Sequence, residues 1–340
     1  MKSLLSKFLK TILPLGIGIY LLWYFFRQMD ESQLQQFYKV IYSADYRWIF
    51  LSLILSIVAF VIRAERWKLA LEPLGYQTKL KNRYHSLMIG YIMNLTIPRA
   101  GEASRSAMLY RSENVPFYKS FGTIISERVV DLCFLGGITV FTYFLNTGNF
   151  SQLFEDIQKT FGTTEKNNLR IYIYLFLVLG AAAFTLLFFF VPSFKSKISS
   201  FIRGLFSGIF SIFKMQRAGL YLFYSFLIWL LYIIYFAICF YSIEATSHFP
   251  LSGIMLAFIA GSLGVTFTNG GIGAFPLLVG IVIGIAGNGI ENAKAVGNAL
   301  GMIIWSSQTL LVIILGVISL LLLPKPYGKE SSEQASGQDS

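Results

Sequence analysis

Six apolar stretches constrain this chain more than any other feature: Phe8 to Phe26, Trp48 to Ile62, Phe121 to Leu145, Ile171 to Val191, Leu220 to Tyr241 and Ala299 to Leu323. A helix crossing a bilayer needs about 20 apolar residues, and each stretch approaches that length, Trp48 to Ile62 being the shortest. With 55% hydrophobic and 16% aromatic residues among 340, the chain is far more apolar than a soluble core of this size requires. Only helices and closed barrels satisfy every backbone polar group in lipid, and runs of this length fit helices. The expected fold class is therefore an all-α integral membrane protein. The first stretch follows Lys2, Lys7 and Lys10 as a signal peptide would, but no small-residue cleavage pattern comes after Trp23, Tyr24, Phe25 and Phe26, so it reads as an uncleaved anchor.

Several function classes recede at once. Cys133 and Cys239 lie inside apolar segments and the only histidines are His85 and His248, so neither a disulfide framework nor a thiolate or imidazole metal cluster is expected. No cofactor is implied. The net charge of +11 comes from basic residues in short loops between apolar spans, which points to anionic lipid headgroups rather than nucleic acid.

Two more apolar stretches differ from the six. Tyr84 to Pro98 is short and stops at a proline; Leu251 to Gly287 is interrupted by Thr266, Thr268, Asn269, Gly270, Gly271, Gly273 and Pro276. Broken backbone at membrane depth is tolerated only where it is buried in protein or lines a wet cavity, so both read as re-entrant hairpins. Loop charges support this. Lys and Arg concentrate at the N-terminus, in Arg63 to Arg83, in Arg99 to Lys119 and in Pro192 to Ala218, whereas Ser242 to Pro250 has neither and Asn288 to Asn298 has only Lys294. Basic loops face the cytoplasm, which requires the first hairpin to enter from that side and the second from outside. Both termini are then cytoplasmic, and 324–340 form a polar tail expected to be disordered. The order becomes span, span, hairpin, span, twice, with the second half inverted. Either 1–145 and 171–323 are inverted repeats within one membrane domain 1–323, as in many secondary transporters, or the symmetry is a coincidence of an even-numbered bundle.

Of the 28 basic and 17 acidic residues, three stand together inside an apolar stretch: Glu127, Arg128 and Asp131. A charge at that depth is expensive unless partnered. Spacing by four puts Glu127 and Asp131 on one helical face, and Arg128 lies within reach of Asp131. Two acids and one base leave a negative surplus, to be met by Arg99, Arg105, a proton or a cationic ligand. The same residues would also serve as a structural salt-bridge knot tying this span to the first hairpin.

That hairpin leads into Pro98-Arg99-Ala100-Gly101-Glu102-Ala103-Ser104-Arg105. A helix beginning near Gly101 would place its N-terminus beside Arg99 and Arg105 as an anion site suited to a lipid phosphate, with Glu102 on the face of Arg105; Arg111 and Lys119 read as ordinary surface residues. In the second hairpin, Gly270-Gly271-Ile272-Gly273 lacks the ending of a nucleotide loop. There the glycines permit a tight turn and Thr268 and Asn269 offer contacts to a headgroup, while Gly261, Gly264, Gly280 and Gly284 suit close helix packing.

Taken in order, Pro98-Arg99-Ala100-Gly101-Glu102 with Arg105, Val115-Pro116-Phe117, Glu127-Arg128 with Asp131, and Gly270-Gly271-Ile272-Gly273 resemble the transmembrane flippase-like domain of lysylphosphatidylglycerol synthetases and its stand-alone relatives. The resemblance runs from the first span to Leu323. It implies a cell-envelope membrane protein that moves a modified phospholipid between leaflets. Two features depart from the family: a glutamate often follows the Gly-Gly-x-Gly motif where this chain has Pro276, and no soluble synthetase domain follows Leu323, so the chain is not expected to aminoacylate lipid by itself.

The expected function is translocation of a phospholipid or lipid-linked glycan across the cytoplasmic membrane, without enzymatic activity. Arg99, Arg105, Arg128, Thr268, Asn269, Gly270 and Gly271 would contact the headgroup, and Glu102, Glu127 and Asp131 would balance charge or carry protons. Two alternatives stand beside it. One is an intramembrane enzyme using Glu127 or Asp131 as a base, for which no partnered nucleophile is evident; the other is a non-transporting partner of an envelope lipid synthase.

Overall fold

The computed structural model describes residues 31–97, 100–145, 215–268 and 270–322, together with Tyr20, Trp23 and Arg27. The expected span Ile171 to Val191, nearly all of the anchor Phe8 to Phe26, the tail 324–340, Pro98, Arg99 and Asn269 lie outside the described residues. Within them, every regular element is helical: α1 (Glu31–Ser43), α2 (Tyr46–Leu71), α3 (Leu80–Thr96), α4 (Gly101–Glu113), α5 (Phe117–Leu145), α6 (Ala218–Ile238), α7 (Leu251–Phe267), α8 (Ala274–Ala286) and α9 (Ala293–Leu321), with short 3₁₀ turns after α2 and α6.

Helix boundaries follow local chemistry. Asp45 caps α2 by accepting the Arg47 backbone N–H at 3.1 Å, and its carboxyl, bonded also by the Arg47 side chain, is held below its usual pKa range. At the other end α2 tightens into Glu72–Leu74 and stops at Gly75, whose φ of +85° only glycine adopts freely. Helix α3 ends because Ile97 precedes Pro98 and is driven to extended backbone, φ −127° and ψ 113°. The Asn94 side chain then accepts the Gly101 N–H at 2.7 Å, starting α4 against the end of α3.

Three helices are long and apolar enough to cross a membrane, running over Tyr46–Leu74, Ala218–Ser242 and Ala293–Leu321. The fold is an all-α membrane architecture. Helix α2 reaches nine residues past the expected Ile62, carrying Arg63 and Arg66 into the helix rather than a loop. Helix α9 begins at Ala293, six residues before the expected Ala299. Leu251 to Gly287 is a pair of short helices, α7 and α8, whereas Tyr84 to Pro98 is the single helix α3, whose partner α4 forms from the stretch expected to be a cytoplasmic loop. Helices α3 and α7 have 17 residues each, and their partners α4 and α8 have 13. At 1.5 Å per residue these are about 26 and 20 Å long, short of a ~30 Å hydrocarbon core.

Small residues bring the pairs together. A Cβ on Gly90 of α3 would lie 2.8 Å from the Gly101 carbonyl oxygen of α4, so only glycine permits this crossing. In the second pair, a Cβ on Gly261 would meet the Phe275 ring at 2.7 Å, and Gly264 approaches the Phe275 backbone. Helices α8 and α9 cross at Gly280, Gly297 and Gly301, where a Cβ on Gly301 would stand 2.7 Å from Pro276 Cα. Pro276 is thus part of a helix crossing.

The largest apolar core joins α6, α7, α8 and α9 with Phe37 and Val40 of α1. A second surrounds Trp67, Leu71, Leu109, Ile124 and Tyr221. Between α2, α4, α5 and α6 the second core closes over charged side chains.

Candidate functional site: a buried arginine and carboxylate cluster

Helix α2 supplies Arg63 and Arg66, three apart on one face, and α5 supplies Glu127 and Asp131, four apart on one face. The faces meet. Arg63 Nη2 lies 2.8 Å from Asp131 Oδ2, and Arg66 Nη1 lies 2.7 Å from Asp131 Oδ1. Arg66 Nη2 stands 3.9 Å from Glu127 Oε2. From α4, Arg105 grips Glu127 with both terminal nitrogens, at 2.7 and 3.2 Å. The side chains of Arg66 and Glu127 are 0% and 1% exposed, and Arg105 is 4%. These are desolvated ion pairs, whose geometry decides their worth.

Aromatic and hydroxyl groups fix the guanidiniums. Arg105 lies over the Trp67 ring at 3.7 Å and Arg66 over Tyr221 at 5.4 Å, both in cation–π range. Trp67 is itself held by Thr123, whose hydroxyl accepts the indole N–H at 2.9 Å. Helix α6 completes the enclosure: Ser225 Oγ accepts from Arg66 at 2.9 Å and the Tyr232 hydroxyl from Arg63 at 3.1 Å. Tyr91 of α3 sits 6.0 Å from the Arg63 guanidinium. A groove of about 430 Å³ opens beside Thr123, lined by Leu74, Lys119, Ser126 and Met215 among others, so one hydroxyl separates it from the indole that supports Arg105.

The structure redistributes the expected site. Glu127 and Asp131 share a face, as their spacing requires. Arg128 does not serve Asp131; it reaches Glu102 of α4 at 2.7 Å, with 47% of its side chain exposed. The expected negative surplus is also overturned, because Arg63, Arg66 and Arg105 outnumber Glu127 and Asp131 in the buried cluster. Arg63 and Arg66 lie beyond Ile62, where sequence alone reads basic residues as loop charges. The signal was present: Phe60, Ala64, Trp67 and Leu71 continue a helical stripe with no Gly or Pro before Pro73. At the start of α4, the Gly101 N–H is taken by Asn94 and Arg105 by Glu127, so neither is free for the N-terminal anion site expected there.

The glycine turn lies elsewhere in the fold. Gly270, Gly271 and Gly273 have φ of +67°, +82° and +70°, and Thr268 is buried with its hydroxyl bonded to the Gly264 carbonyl at 2.8 Å. Trp305 of α9 donates to the Gly270 carbonyl at 2.7 Å. A Cβ on Gly270 would stand 2.9 Å from the Leu95 side chain of α3. The tips of the two helix pairs therefore touch, beside α9.

The sequence pattern of a family described as the lysylphosphatidylglycerol synthase transmembrane region matches residues 11–318. The chain belongs to this family. It is thereby a multi-pass membrane protein. Among curated relatives, a UPF0104 membrane protein of Methanocaldococcus jannaschii is 32% identical over 120 residues, 34% of this chain and 36% of the relative. A UPF0104 membrane protein of Pyrococcus horikoshii is 25% identical over 132 residues, covering 38% and 37%. A Haloferax volcanii protein named glycosyltransferase AglD is 29% identical over 101 residues, covering 29% of this chain and 16% of its own length. The matched segments thus span little more than a third of the first and second relatives and about a sixth of the last. No solved structure matches the chain.

Proposed function

We propose that the protein translocates a phospholipid or a lipid-linked glycan between the leaflets of the cytoplasmic membrane, with both termini in the cytoplasm. The observation that carries this reading is a buried ion-pair cluster held between the short helix α4 and the longer helices α2, α5 and α6. A purely structural helix pair has no need of five charges at that depth, where replacing them with apolar residues is often neutral or stabilising.

A belt of exposed aromatics supports the placement. Tyr42, Tyr46, Trp48 and Tyr241 are 85%, 50%, 37% and 50% exposed, the distribution expected at one membrane interface. Arg63 and Arg66 follow Trp48 by roughly 22 and 27 Å along α2 at 1.5 Å per residue. In a ~30 Å hydrocarbon core the cluster then sits near the opposite, cytoplasmic surface, within reach of inner-leaflet headgroups. The groove beside Thr123 is the side entrance, and acyl chains stay in the bilayer. Kinship to a protein named a glycosyltransferase keeps a lipid-linked glycan in the substrate range.

Helix lengths support a two-fold design. Each half runs long helix, 17-residue helix, 13-residue helix, then a 29-residue helix, and rocking of one half against the other would expose the cluster to each side in turn. The test is reconstitution in vesicles containing fluorescent phosphatidylglycerol, phosphatidylcholine or a polyprenyl-phosphate sugar, with leaflet exchange followed by quenching from outside. Exchange of at least one class above protein-free vesicles is expected; none for any class would remove the translocation reading.

A further inference from the structure

We propose that the cluster binds one anion, the phosphate of a headgroup of net negative charge, and disfavours headgroups of net positive charge. Within the cluster, the buried charges are Arg63, Arg66 and Arg105 against Glu127 and Asp131, one positive charge in excess; Arg83, also buried, pairs with Glu65 at 2.7 Å outside it. The neighbouring Arg128 and Glu102 neutralise each other and leave that excess unchanged. Tyr91, Tyr221 and Tyr232, which also face the cluster, are phenols that contribute hydroxyl groups rather than carboxylates. An uncompensated buried cation is prohibitive, so the site is complete only with an anion present.

The unused hydrogen-bonding capacity has the same sign. Arg63 Nε, Arg66 Nε, Arg105 Nε and the Tyr221 hydroxyl are all buried without a partner, and every one of them can donate. Four orphaned donors around a positive surplus require an acceptor, and an oxyanion supplies several lone pairs at once. A headgroup ammonium supplies only donors and would add a second unpaired positive charge. The cluster is thus built against the charge of an aminoacylated lipid.

This inference deepens the translocation reading and rests on it for the ligand being a lipid. The test uses the full-length protein purified in detergent, with binding measured by native mass spectrometry for phosphatidylglycerol, phosphatidylcholine and lysyl-phosphatidylglycerol. Phosphatidylglycerol should bind about tenfold or more tightly than lysyl-phosphatidylglycerol. Arg105→Gln should erase that preference and Glu127→Gln should widen it, whereas Arg111→Gln, on the exposed surface of α4, should leave it intact. Equal affinities in the unaltered protein, or loss of preference in Arg111→Gln as well, overturn the proposal, and the ranking in the unaltered protein decides it even where a variant fails to fold. Competition by millimolar inorganic phosphate would keep the anion site and overturn its assignment to a lipid. Anionic preference without leaflet exchange sinks translocation alone; exchange as fast for lysyl-phosphatidylglycerol as for phosphatidylglycerol sinks the charge selection alone.

Discussion

Arg66 touches both carboxylates of the cluster, at 2.7 Å from Asp131 and 3.9 Å from Glu127, with no exposed side-chain surface. Removing it should therefore cost stability on the scale of a broken buried ion pair, about 3–5 kcal/mol. Arg128→Met, at a half-exposed pair, should cost no more than ~1 kcal/mol. Thermal unfolding of Arg66→Met and Arg128→Met in the same detergent checks this, and equal losses would show that burial is not what sets their worth. Asp131→Asn belongs with the severe changes, because Asp131 holds Arg63 and Arg66 together; a loss of folded yield is expected rather than the relief of a negative surplus. A well-folded Asp131→Asn protein would contradict the charge count. What was legible in the sequence at this scale was the shared face of Glu127 and Asp131. So was Arg105, expected among the cations that meet them and found on Glu127; Arg63 and Arg66 were not, because a run of Lys and Arg at the end of an apolar stretch marks a cytoplasmic loop as readily as the last turns of a buried helix, and only tertiary contact tells them apart.

The turn between α7 and α8 shows how an element boundary is fixed by backbone rather than side chain. Gly271 combines φ of +82° with near contacts, a Cβ there standing 3.0 Å from Val265 and 3.3 Å from Trp305, whereas Gly75 has φ of +85° and open space. Left-handed backbone costs about 1–2 kcal/mol in any other residue. Gly75→Ala should lose that much and Gly271→Ala more, a ranking that melting temperatures will test; equal shifts would mean the tip yields without resistance. Labelling of introduced cysteines tests where the pairs enter the membrane. In a Cys133→Ser background, Lys81→Cys and Arg111→Cys should both label from the cytoplasm, and Pro250→Cys and Asn288→Cys both from outside. Opposite-side labelling within either couple would make that pair a span. Both breaks were readable in advance from Pro98 and from the glycine run. Helix starts were less so: α4 depends on an Asn94 side chain seven residues away, and α9 follows an Asn292 cap with φ of +49°, neither a pattern that local sequence announces.

At the scale of the whole molecule, among the described residues, the order and lengths of α3, α4 and α5 recur in α7, α8 and α9, at 17, 13 and 29 residues, without evident residue identity between them. The packed faces differ: charged between α2, α4 and α5, glycine-rich and apolar between α8 and α9. The measurement that bears most directly on this account is leaflet exchange of fluorescent phosphatidylglycerol in vesicles containing equal amounts of folded unaltered protein and of the Arg105→Gln variant. Exchange well above protein-free vesicles for the former, reduced about tenfold or more for the latter, is the predicted result; equal exchange by both proteins, or none by the unaltered one, would contradict it.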